Sequence, residues 1–84
     1  MPNFNKLIVL ASKLASDNGV TIQELLRDKN LGYNNRSSIY QDFRNLDKSF
    51  GLYPIGTNEL RGKSGREVVY RIERKEWNEF KSEF

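Results

Sequence analysis

Ser37, Gln41, Arg44 and Lys48 recur every three or four residues, with Tyr40 and Asn45 flanking them and no carboxylate on the same line. A guanidinium, an ammonium, amides and hydroxyls in one stripe suit an anionic surface rich in hydrogen-bonding groups. They hold no group that abstracts a proton near neutral pH. A second cluster is Arg61-Gly62-Lys63-Ser64-Gly65-Arg66, with three cations in six residues and no apolar side chain. A third is apolar: Trp77, Phe80 and Phe84 at i, i+3 and i+7.

Other chemistries lack their residues. The 84-residue chain has no His and no Cys, which removes disulfides, the usual zinc ligand sets and His-based acid–base catalysis. Asp42 and Asp47 do not share a helical face, and no inward-facing carboxylate pair is apparent. Gly62-Lys63-Ser64 lies in a turn-rich stretch outside the strand–GxxxxGK[ST]–helix pattern, so nucleotide hydrolysis has no support. The expectation is a non-enzyme with no catalytic residue, metal, cofactor or small-molecule ligand. No apolar run approaches the ~20 residues of a membrane span, and no signal-peptide core is evident near the start. A single cytoplasmic domain is expected, nucleoid-associated in a bacterial or phage setting.

Charge is uneven along the chain. The whole carries 14 Lys and Arg against 11 Asp and Glu, a net +3. Residues 51–75 hold six cations against three carboxylates, whereas residues 76–84 hold one cation against three. One basic stretch beside an acidic tail fits a surface with one anionic partner, although an ordinary solvated surface gives the same count.

The elements that must position these residues follow from period and punctuation. Phe4, Leu7, Ile8, Ala11, Leu14 and Ala15 trace one helical face, with Asn3 as cap and Asp17-Asn18-Gly19 as stop, giving a helix over about 4–17. Val20 forms at most a very short extended piece. Thr21 and Glu24 make a capping box that opens a second helix over about 22–28, with Ile22, Leu25 and Leu26 inward. Residues 29–35 are turn-rich. Asn35 then caps a third helix over 36–50, whose buried stripe is Ile39, Phe43, Leu46 and Phe50 and whose stop is Gly51. After Gly51 the period becomes two: residues 52–56 and 67–73 read as strands, with Val68, Tyr70 and Ile72 on one face and the basic cluster 61–66 at the tip. The aromatic stripe closes the chain as a helix over about 74–84.

Three helices, a two-stranded hairpin spanning about 52–73 and a closing helix define an α+β domain in the order of a winged helix–turn–helix. In that arrangement the third helix enters a DNA major groove. The hairpin tip, or wing, lies beside it on the phosphate backbone or in the minor groove. Residues 35–46 (Asn-Arg-Ser-Ser-Ile-Tyr-Gln-Asp-Phe-Arg-Asn-Leu) resemble the recognition helix of DeoR-type and WYL-associated winged-helix regulators. There the pattern is approximately Ser-Arg-Arg-Thr-Ile-Tyr-Arg-Asp-Leu; Ile39, Tyr40 and Asp42 match outright. Gly51, Pro54-Ile55 and the strand bearing Tyr70 extend the resemblance over about residues 4–72. Gln41 stands where that family usually has Arg, and the connection from Leu25 to Asn35 is about three residues longer.

The reading is therefore a sequence-specific double-stranded DNA-binding domain, a small transcriptional regulator. Ser37, Gln41, Arg44 and Asn45 are its base-contact candidates. Arg36, Ser38, Tyr40 and Lys48 are backbone candidates, and Arg61, Lys63, Ser64 and Arg66 form the wing. Gln is suited to adenine and Arg to guanine. Trp77, Phe80 and Phe84 either pack on the first helix or form a homodimer interface. Two other classes share these features: a winged helix that binds a protein partner, and an architectural or excisionase-like accessory factor.

Overall fold

The computed structural model describes residues 3–61 and 65–83. Within them lie α1 (Phe4–Leu14), β1 (Val20–Thr21), α2 (Ile22–Arg27), α3 (Arg36–Phe50), β2 (Ile55–Leu60), β3 (Arg66–Arg71) and α4 (Arg74–Ser82). The fold is α+β, with four helices and one antiparallel sheet of order β1-β3-β2 among the described residues.

Helices α1, α2 and α3 start at the caps their sequence provides, whereas Glu73 before α4 makes no side-chain cap bond. Asn3 Oδ1 accepts from the Lys6 N–H at 3.2 Å, and Asn35 Oδ1 accepts from the Ser38 N–H at 2.9 Å. At α2 the capping box is reciprocal, with the Glu24 N–H on Thr21 Oγ1 and the Thr21 N–H on Glu24 Oε1, both at 3.1 Å. Each such cap is worth about 1 kcal/mol. Gly51 ends α3 at φ 68°, a left-handed conformation that a side chain would strain.

α1 is shorter than its periodicity suggests. It stops at Leu14, because Ser16 turns its N–H and hydroxyl back to the Lys13 carbonyl and Gly19 bonds the Ser16 carbonyl. Its buried face is Leu7, Leu10, Ala11 and Leu14; Phe4 is exposed and Ile8 only half-buried. These residues meet Leu25 of α2, Ile39, Phe43 and Leu46 of α3, Leu52 and Ile72 in one core. Phe50 packs against that core from its edge.

The strands depart most from expectation. The first occupies 55–60 and not 52–56: Pro54 has no N–H for a ladder, and Leu52, 2% exposed, drops into the core. The second runs 66–71 and stops short of 73, with Ile72 bonded instead to the Leu14 carbonyl. The sheet has three strands, since Val20 and Thr21 pair with Tyr70 and Val69. Ile72 and Tyr70 face the core as their shared parity suggests, but the other side of β3 is covered as well. Val69 is fully buried while Val68 is 47% exposed, because the 17–19 turn lies against the Val69 face. A Cβ on Gly19 would come within 2.7 Å of Val69 Cγ1. Arg71 locks this face, pairing with Glu59 and donating to the Asn18 carbonyl at 3.3 Å.

α4 runs to Ser82, two residues short of the expected end, and Phe84 lies outside the described residues. Trp77 and Phe80 are half-buried against the core. The Phe80 ring lies 5.7 Å from Trp77 in a stack and 4.8 Å from Phe50, which in turn is 5.7 Å from Phe4.

Candidate nucleic-acid interface

α3 is oriented by its buried stripe. With Ile39, Phe43 and Leu46 sunk in the core, the opposite face carries Ser37, Gln41, Arg44 and Lys48, all exposed. Arg36 and Ser38 are exposed at its first turn. The Ser38 backbone N–H and hydroxyl both turn to Asn35 Oδ1, at 2.9 and 3.2 Å, so the cap already engages Ser38.

The two carboxylates of α3 flank this face. Asp42 is held by two neighbours: it accepts from the Tyr33 hydroxyl at 2.8 Å and from the Asn45 amide at 3.1 Å. Asn45, itself half-buried, thereby directs its N–H donors at Asp42, while its carbonyl faces the Gln41 amide at 3.5 Å. Burial, and then the bond to Asp42, raise the Tyr33 hydroxyl well above the usual tyrosine range. Asp47 is exposed and lines a groove with Arg44, Tyr53, Pro54 and Tyr70.

Tyr40 plays a part that its place on the helix did not suggest. Its ring meets Phe43 edge-on at 6.1 Å and Tyr70 of β3 at 6.5 Å, and Phe43 meets Tyr70 at 5.0 Å. Burial and a hydrogen bond with Tyr40 push the Tyr70 hydroxyl upward in pKa. Gly56 makes room for this packing, since a Cβ there would fall 2.9 Å from the Tyr70 ring. The hairpin is thus fixed to one flank of α3 by aromatic rings. Between them runs a groove of about 320 Å³ whose lining includes Arg36, Tyr40, Gln23, Glu67, Val68 and Tyr70.

At the hairpin's far end Arg61 donates to the Asn18 carbonyl, tying it to the α1–β1 turn. Arg66 is exposed; Lys63 and Ser64 lie outside the described residues. Sequence reasoning missed two contributors. Lys6 of α1 holds its ammonium 4.0 Å over the Tyr33 ring, beside Ser37, Ser38 and Gln41. Gln23 of α2 joins the lining of the groove between α3 and the hairpin. Both are ordinary surface residues in their own helices, and only tertiary packing brings them to α3.

Among the described residues no group of carboxylates is gathered so as to hold a metal ion, and no helix is long and apolar enough to cross a membrane. No protein-family model, curated protein or solved structure matches the chain.

Proposed function

We propose that the protein is a winged helix–turn–helix module that binds double-stranded DNA in the cytoplasm, without enzymatic activity, as a small transcriptional regulator. α3 lies in the major groove and the β2–β3 hairpin rests on the adjacent backbone or minor groove. One observation carries the reading: the exposed Ser37-Gln41-Arg44-Lys48 face is free of carboxylates, and one of its flanking acids, Asp42, is engaged by Tyr33 and Asn45. Gln41 and Arg44 face the bases there, each good pair contributing about 1–3 kcal/mol of discrimination. Lys48, Arg36, Lys6 and the hairpin cations meet phosphates, which fix register without reading sequence. The resemblance of residues 35–46 to DeoR-type recognition helices agrees with this assignment.

Fluorescence anisotropy of a labelled random duplex titrated with the protein at several salt concentrations tests it. Binding that weakens linearly on a log–log plot, with a slope corresponding to several released counterions, is expected. Absence of binding at low salt contradicts the proposal.

A further inference from the structure

We propose that two copies of this chain pair through the outer edge of β2, antiparallel and two-fold about Asn58, to make one continuous six-stranded sheet. The inference rests on β2 alone and stands or falls independently of the DNA reading.

In the order β1-β3-β2, the six-residue β2 has β3 on one side and no strand on the other among the described residues. Such an edge is a template for another strand unless Lys, Pro, a bulge or a covering element blunts it. Residues 55–60 (Ile-Gly-Thr-Asn-Glu-Leu) contain no Lys and no Pro. Their one charge, Glu59, is paired with Arg71. β2 matches Ile55–Leu60 to Arg71–Arg66 one for one, so no bulge breaks the edge.

The ladder determines which backbone groups point outward. The Arg61 N–H donates to the Gly65 carbonyl at 2.9 Å, one step beyond the Leu60–Arg66 pair. Antiparallel bonding alternates, so Ile55, Thr57 and Glu59 exchange bonds with β3, while Gly56, Asn58 and Leu60 turn their N–H and C=O to the open edge. A two-fold partner must pair residues of like parity. Centred on Asn58, Asn58 meets itself, Gly56 meets Leu60 of the second copy, and all six outward N–H groups of the two strands find carbonyls. Thr57 then stands opposite Glu59, and no like charges face each other. Centring on Thr57 instead sets Leu60 opposite Pro54, which has no N–H to give.

Side chains agree with this register. Leu60, 71% exposed, lies on the same face as Gly56, Val68 and Tyr70 by the register of the hairpin. The second copy's Leu60 therefore lies alongside the Tyr70 ring and the half-exposed Val68, which already cover Gly56. A two-fold axis normal to the sheet also leaves both α3 helices on one face.

The test uses the full chain in sedimentation equilibrium with two substitutions. The wild type is expected to be a dimer of 9.8 kDa chains, dissociating in the micromolar range as suits a small interface. Asn58→Pro removes only outward N–H groups, as edge prolines do. It should stay folded by circular dichroism and raise the dimer dissociation constant at least about tenfold, two of six edge bonds being lost. Asn58→Cys introduces the sole cysteine, at a position whose Cα pair spans about 5.5 Å in this register, within disulfide reach. It should oxidise to a covalent dimer rapidly, whereas Thr57→Cys should not. A wild type that stays monomeric overturns the proposal. So does an Asn58→Cys protein that crosslinks no faster than Thr57→Cys, which decides the matter even if the proline variant fails to fold.

Discussion

The hydroxyl of Tyr33 donates to Asp42 across 2.8 Å, and this bond fastens the long α2–α3 connection to the flank of α3. Tyr33 is 7% exposed and its ring carries Lys6 on one face, so three segments meet at one side chain. The connection is thereby held in place at its C-terminal end, next to the cap that starts α3.

Tyr33→Phe should destabilise the fold by about 1–2 kcal/mol, the cost of leaving a half-buried carboxylate without one donor. The pH dependence has a definite sign. The folded protein keeps the Tyr33 proton to higher pH than the unfolded chain, so its contribution is full below about pH 10 and is lost as pH rises beyond it. Urea titrations of wild type and variant should show their stability gap narrowing above about pH 10.

Glu59 gives the opposite sign on the acid side. The Arg71 guanidinium, and then the Thr57 hydroxyl, hold its carboxyl at about 2 against an ordinary 4.5. Its contribution is present above 4.5 and is lost as pH falls toward 2. Glu59→Gln should flatten the acid limb of the stability profile, and added salt should shrink the difference, since the pair is partly exposed.

How much of this was legible in the chain depends on how local the cause is. Asn3, Thr21-Glu24, Asn35 and Gly51 act within one turn, and α2 and α3 begin where those residues place them. The exposed face of α3 follows from helical arithmetic alone. The burial of Val69 does not, because alternation places Tyr70 and Ile72 on the core side but cannot show that the 17–19 turn covers the other side too. Arg61 reaches Asn18 over 43 residues of chain, and Lys6 reaches Tyr33 across helices. No spacing rule carries such contacts.

The hairpin cations should now divide. Replacing Lys63 and Arg66 by Ala should weaken binding to all duplexes alike and lower the salt slope by up to about two. Arg61→Ala should in addition loosen the fold, because its guanidinium holds the α1–β1 turn. An unchanged slope in the double variant removes the hairpin tip from the interface.

Trp77 is half-buried in a stack with Phe80 and packs against the core. Trp77→Ala should cost about 2 kcal/mol, below the 3–5 kcal/mol typical of a fully buried large aromatic. Thermal melts measure the loss. Sedimentation of the same variant should show an unaltered monomer–dimer balance if α4 serves the core; dissociation of a folded variant would instead make α4 the interface.

Selection of bound sequences from a random duplex pool tests the central claim most directly. Gln41 and Arg44 lie outside the core, so Ala at either should change stability by less than about 0.5 kcal/mol. The wild type should enrich a defined motif. Gln41→Ala and Arg44→Ala should keep non-specific binding at matched salt and each lose preference at one or two base positions, a change of about 1–3 kcal/mol per contact. Enrichment of the same motif, with the full specificity ratio, by both variants would contradict the assignment of α3 as the reading element.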